Sequence, residues 1–197
     1  MTEIMNQMAV SFDLPILDWI QANLKSDLLD TVMPIITLFG DGGVFWIAIA
    51  VLLLFFRKTR KVGLGMGFAL LLGLVVCNIT LKPLVGRIRP YDLQEDLGVT
   101  IPLLTDRMHD YSFPSGHTIA SFEASTVLLK NNKLMGIPAV ILAFLIAFSR
   151  LYLYVHYPTD VIFSFFAGIL FGLVGNALAG KVVTRLPVRR KGRYEAA

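Results

Sequence analysis

The sequence predicts an all-α integral membrane bundle of six transmembrane helices with an N-terminal amphipathic helix. Three observations predict it. The 197 residues are 55% hydrophobic and only 16% charged, where a soluble domain carries about 25% charged residues. The apolar residues gather in runs that approach a bilayer crossing, about 20 residues. The cations cluster beside those runs. That placement argues against nucleic acid as the meaning of the net charge of +4. The length suits a single domain, 1–197. The one cysteine, Cys77, lies inside an apolar run, so no disulfide forms within the chain. No charged n-region, short apolar core and A-x-A site opens the chain, so no removable signal peptide is expected.

Residues 1–26 read as an interfacial helix. Asp13 and Pro15 suit a helix start. Ile16, Ile20 and Leu24 recur at i+4 spacing, on a face that lies in an interface or packs on the bundle. Leu28–Phe39 is the first apolar run, broken by Asp30, Thr31 and Pro34. Gly40-Asp41-Gly42-Gly43 is a turn. Val44–Phe56 is the second run, stopped by Arg57-Lys58-Thr59-Arg60-Lys61. Val62–Leu81 is the third and clearest. Residues 82–116 form the longest polar connection. Thr118–Leu129 is the fourth run, Leu134–Ser149 the fifth, and Val161–Leu178 the sixth, before a basic tail over 182–197.

Loop charge orients these runs. Basic residues follow the second, fourth and sixth runs, while the Lys and Arg of 82–116 are matched by acids. The positive-inside rule then makes both termini cytoplasmic and the 82–116 connection extracytoplasmic. A multi-pass protein of the cell (plasma or inner) membrane is expected.

Three strings carry chemistry, and this topology puts all three on the outer face. They are Lys82 through Arg89-Pro90, Pro114-Ser115-Gly116-His117, and Ser149-Arg150 through His156 to Asp160. Lys82, Arg89 and Arg150 suit a phosphoryl group, arginine through forked hydrogen bonds. Each alone could instead be a long side chain reaching to the interface. Ser115 and Gly116 precede the fourth helix, where backbone N–H groups favour an anion or form an ordinary cap. His156 lies four residues before Asp160. A carboxylate there can orient one ring nitrogen and leave the other to attack phosphorus. His117 is placed to protonate a leaving oxygen. His109 reads as a solvated histidine. Two histidines and an aspartate could also bind zinc, but three nearby cations oppose a divalent metal.

The strings K-x6-R-P, P-S-G-H and S-R-x5-H-x3-D resemble the signature of the type 2 phosphatidic acid phosphatase family, in type and spacing at every fixed position. The resemblance implies a metal-independent, cofactor-free helical phosphatase. It implies His156 as nucleophile through a phosphohistidine, Asp160 as its partner and His117 as general acid. Lys82, Arg89, Arg150, Ser115 and Gly116 would bind phosphate. The expected partners are the bilayer and a membrane lipid phosphate, not nucleic acid. A polyprenyl (undecaprenyl) pyrophosphate is the expected substrate, with phosphatidylglycerophosphate or phosphatidate as the alternative. A lipid phosphotransferase and an anion or lipid transporter are the other classes; a transporter would carry its charges near mid-membrane, not at run ends. Glu123 stands about 9 Å below His117 at helical rise. An acid at that depth is either functional or a structural hydrogen-bonding group, with Asn78 as a candidate partner.

Overall fold

The computed structural model describes residues 7–185, and every regular element among them is a helix. Parts of the expected 1–26 helix and most of the expected 182–197 tail lie outside the described residues. A π-helical turn, Ala9–Asp13, leads into α1 (Leu14–Leu24). Ser26 caps α2 (Asp27–Leu38), its hydroxyl accepting from the Leu29 N–H. A glycine turn follows, with Gly42 and Gly43 at φ of +54° and +68°, a region that L side chains rarely adopt. Then come α3 (Val44–Phe55) and α4 (Arg60–Gly73). The latter continues through π-helical turns at Leu74–Leu81 and on to Lys82–Val85. Gly86, left-handed, ends it. Pro90 opens the short α5 (Pro90–Asp96). The bundle is completed by α6 (Gly116–Asn131), α7 (Lys133–Tyr152) and α8 (Pro158–Arg185).

Among the described residues, four helical stretches are long and apolar enough to cross a membrane: Asp27–Phe55, Arg60–Asp96, Lys133–Tyr152 and Pro158–Thr184. The glycine turn divides the first into α2 and α3. At 16 residues, α6 is shorter than these stretches.

Contacts between helices define two ends of the bundle. At one, Trp46 near the start of α3 donates to Ser121 in α6 at 3.0 Å. At the other, Asn131 of α6 donates to Asn176 of α8 at 2.7 Å, and Lys61 lies against Gly180. The basic residues of the α3–α4 and α6–α7 connections gather at this second end. All three chemical strings gather at the first.

Both ends of α2 are fixed near the first end. The Tyr152 hydroxyl donates to Asp30 at 2.5 Å and accepts from the Ser26 N–H at 3.3 Å. Toward the other end of α2, Thr37 accepts from Arg150 at 2.5 Å, and Gly40 sits against His117 and Ile146. Tyr152 and Ile146 are only about 9 Å apart along α7 at helical rise. The 28–39 run, expected as the first crossing, therefore lies against the site end of α7. Twelve residues with Pro34 among them make a helix of about 18 Å, short of a hydrocarbon core of about 30 Å.

The core has two textures. At the site end, Leu14, Leu17 and Ile20 of α1 pack with Tyr91, Leu93 and the Tyr152–Tyr157 segment, flanked by Ile16 and Leu24. The face expected from i+4 spacing thus packs on the bundle. Deeper, the contacts rest on Ala50, Ala69, Ala124 and Ala139 beside Met66 and Trp46, with Ala143 and Ala147 in a neighbouring cluster. Small residues let helices approach closely where lipid supplies no hydrophobic drive between them.

Candidate active site

Where α4 ends, Gly86 breaks the helix, and the chain passes without regular structure through Arg87 and Ile88 to an extended Arg89 before Pro90. This sets Lys82 on the last turn of the helix and Arg89 on the short connection beside it. Lys82 bonds Asp110 at 2.5 Å, and Arg89 also pairs with that carboxylate. Arg89 is otherwise held by backbone: its Nε donates to the Asp110 carbonyl at 2.9 Å and a terminal nitrogen to the Val155 carbonyl at 2.7 Å. Burial works against ionisation of Asp110, but its bond to Lys82 and the charge of Arg89 outweigh it and hold the carboxyl down to about 2.

His156 sits on the bend between α7 and α8. Its N–H bonds the Arg150 carbonyl at 3.3 Å, and its side chain is 2% exposed. Nε2 lies 3.5 Å from an Arg89 nitrogen. Nδ1 lies 3.5 Å from Asp160 Oδ2, a long contact, and has no other partner. The Asp160 carboxylate is held by Ser112, by the Tyr157 N–H at 3.1 Å and by Arg87 at 2.5 Å. Burial first, then Arg89, Arg150 and Lys82, push the His156 imidazole well below its ordinary pKa. It is therefore neutral at pH 7, with Nε2 as the available nitrogen.

His117 opens α6. Its Nε2 lies 3.4 Å from Asp41 Oδ1 on the glycine turn. Gly40 is needed there, since a Cβ would come within 2.7 Å of the His117 ring. Lys82, Arg89, Gly116, His117 and His156 line one cavity of about 670 Å³. From these residues it continues between α3 and α4 along Ile47, Val51, Leu54, Leu70, Leu71 and Leu74.

Three expected residues sit behind this mouth. Arg150 is buried, bonded to Thr37 at 2.5 Å and in contact with Met108 Sδ at 3.2 Å; its charge still acts on both histidines. Asp160 backs His156. Ser115 is buried, and its N–H, expected as a free donor, is taken by Ser164 Oγ at 2.9 Å. Its hydroxyl accepts from Thr118 at 3.0 Å. The Ser115 N–H expectation is corrected by this: α8 carries a serine one turn after Asp160 that satisfies the donor. Glu123 lines the deep part of the cavity. It lies against Gly73, one of its oxygens has no partner, and it makes no bond to Asn78. Asn78 lies instead beside Gly116. His109 is exposed.

Sequence reasoning missed Asp110 and Asp41. Asp110 adjoins the P-S-G-H string but sits in a loop with four other acids, so nothing marked it. Asp41 lies far upstream and reads as a turn residue. Only the fold brings it to His117.

The PAP2 superfamily pattern matches residues 62–183, a segment that holds all three strings. The chain belongs to the PAP2 superfamily. Over 163 residues it is 33% identical to an undecaprenyl-diphosphatase of Sulfolobus acidocaldarius, covering 82% of this chain and 74% of that one. The crystal structure of Aquifex aeolicus LpxE superposes with a TM-score of 0.72 at 32% identity, over 84% of this chain and 94% of that one. The Bacillus subtilis PAP2-type phosphatidylglycerolphosphate phosphatase gives 0.63 at 26% identity, over 83% and 82%. This PAP2 protein is accordingly a phosphatase with multiple apolar helices, acting on lipid phosphates in a membrane setting.

Proposed function

We propose that this PAP2 protein hydrolyses a polyprenyl pyrophosphate to the monophosphate at the extracytoplasmic face of the cell membrane. The observation that carries this reading is the cavity itself. Its mouth holds Lys82, Arg89, His117 and His156, and its walls are the apolar faces of α3 and α4. A long hydrocarbon tail can lie along those walls while its head group meets the cations. Remote binding of the tail then contributes to the reaction at the head. The undecaprenyl-diphosphatase relative supports the pyrophosphate, and the Bacillus neighbour supports phosphatidylglycerophosphate as the second reading.

The chemistry follows from the geometry. His156 Nε2 forms the N–P bond to the terminal phosphorus as that phosphorus parts from the bridging oxygen, which leaves on the lipid monophosphate, and His117 gives that oxygen a proton. Asp160 faces the charge that develops on the ring. Lys82, Arg89 and Arg150 stabilise the charge spread over the transferring oxygens, and Gly116 allows close backbone approach. Water then attacks phosphorus, His117 takes its proton, and the N–P bond breaks. Cations at the mouth do this work without a divalent ion. Chelator should leave turnover intact, and vanadate should inhibit it. Loss on chelation, restored by a divalent ion, refutes the scheme.

Orientation rests on charge. Arg57, Lys58, Arg60, Lys61, Lys130, Lys133 and Lys181 flank the end opposite the site, which makes that end cytoplasmic. Five helices, α3, α4, α6, α7 and α8, then cross in alternation, fewer than the six expected. The described N-terminal helices lie on the site face, and α8 ends on the cytoplasmic one. In a Cys77→Ser background, cysteines placed at 25 and 95 should label from outside and one at 58 should not. Protection at 25 with labelling at 95 restores a sixth crossing. For the substrate, phosphate release under matched detergent conditions decides. Undecaprenyl pyrophosphate should turn over faster than phosphatidylglycerophosphate, and the reverse order overturns this ranking.

A further inference from the structure

We propose that Asp13 and Arg87 are positioning residues for the nucleophile, acting on His156 through Asp160. This rests on the reading of His156 as nucleophile. Arg87 occupies a variable place in the K-x6-R-P string, and Asp13 lies outside the 62–183 family segment. Neither lines the cavity. Both are buried, with side chains 2% and 0% exposed.

Arg87 is used almost completely by this one task. One terminal nitrogen donates to Asp160 Oδ1 at 2.5 Å and to Thr159 Oγ1 at 2.8 Å. The other donates to Asp13 Oδ2 at 2.6 Å. The guanidinium lies 3.7 Å over the Tyr157 ring. Asp13 in turn grips the first turn of α8: Oδ1 accepts the Thr159 N–H at 2.9 Å and Oδ2 the Thr159 hydroxyl at 2.8 Å. The N-terminal turn is thus tied to the helix that carries Asp160, and Asp160 is fixed on the side away from His156.

Charge gives this clamp a second role. Arg87 alone beside Asp160 would cancel the carboxylate that must face the imidazolium formed as the N–P bond grows. Asp13 supplies a second carboxylate, so two negative charges against one positive leave one behind His156. Around the ring stand Asp160 on the Nδ1 side and Arg89 on the Nε2 side, with Arg150, Lys82 and Asp110 acting by charge. Tyr157 caps the guanidinium. Asp13 thereby keeps the Asp160 charge available while Arg87 keeps it in place.

The test uses the full chain in detergent with undecaprenyl pyrophosphate carrying a radiolabelled terminal phosphate. Single-turnover formation of an acid-labile phosphoenzyme is followed beside steady-state kcat, KM and the pH profile. Asp13→Asn is close in shape; it removes the charge and turns one of the two acceptor oxygens into a donor. It should slow phosphoenzyme formation on the order of tenfold, with KM within about twofold. Its acid limb in kcat/KM should move to lower pH, because a less negative surround makes His156 harder to protonate. Arg87→Met should move the limb the opposite way, and Arg87→Lys should recover part of the rate. Opposite displacements distinguish positioning by charge from loss of packing. If Arg87→Met does not fold, as judged by gel filtration and melting, Asp13→Asn and Arg87→Lys still decide. A folded Asp13→Asn enzyme with wild-type phosphorylation rate and an unmoved limb overturns the inference. A wild-type enzyme that forms no phosphoenzyme overturns instead the reading on which it rests.

Discussion

The two histidines of the site are both largely buried, with side chains 2% and 13% exposed for His156 and His117, but they are held differently. His156 is buried on a bend whose carbonyl at Val155 is bonded by Arg89 and whose residue Tyr154 is held at a φ of +60°. Fixed groups back both of its ring nitrogens. His117 stands on the first turn of α6 beside a carboxylate that is 69% exposed, on a turn of glycines. On the proposed mechanism, the nucleophile side is locked and the leaving-group side is the more open of the two. A nucleophile must meet phosphorus in line at every turnover, where a misplacement of about 1 Å can cost about 100-fold. A general acid follows an oxygen whose place varies with the lipid, and it tolerates more freedom.

Removing the locked side should cost most. His156→Ala should lower phosphate release on the order of 10⁴-fold or more, because it removes the proposed nucleophile. A loss under tenfold would place the nucleophile elsewhere. Removing the open side should cost less and depend on substrate. His117→Ala should slow a lipid phosphomonoester by about 10²- to 10⁴-fold, since an alkoxide needs its proton. The loss should shrink for a pyrophosphate and be smallest for an activated aryl phosphate. Equal losses on all three substrates would assign His117 to binding.

The same contrast marks how far the sequence could be read. All-helical architecture, the apolar runs and the residues lining the cavity mouth were legible, because hydropathy and motif spacing are local. The passage of 28–39 was not. Its hydropathy suits a crossing, but Tyr152, Arg150 and His117, each over 75 residues downstream, hold it at the site end. The N–H of Ser115 looked free because its acceptor, Ser164, stands on another helix. Asp41, Asp110 and Asp13 escaped for that reason too. Each gains meaning only from a cation or histidine that the fold brings to it, and each alone reads as a turn or cap residue.

The pH profile sharpens the comparison further. Burial and three cations hold His156 below its ordinary pKa, so the acid limb of kcat/KM should lie below about pH 6.5. The sign also governs stability. A depressed histidine favours the fold above its unfolded pKa, and that contribution is lost as pH falls below about 6.5 toward the folded value. Thermal unfolding in detergent should show melting falling with acid over this range, less so in His156→Gln. An acid limb above pH 7 would mean that the neighbouring cations do not govern the nucleophile.

The smallest effect should come from Asp41→Asn. Its contact with His117 is 3.4 Å long and its carboxylate is largely exposed, so water screens the pair and its energy is below about 1 kcal/mol. About 1.4 kcal/mol corresponds to tenfold, so the rate should fall by about fivefold or less. The fall should appear only where the leaving oxygen needs a proton, and not with an aryl phosphate. The basic limb of kcat should move to lower pH, because an acid without its carboxylate neighbour gives up its proton more readily. A loss as large as that of His117→Ala would show that the open side is locked after all, with the glycine turn holding the acid as firmly as Asp160 holds the nucleophile.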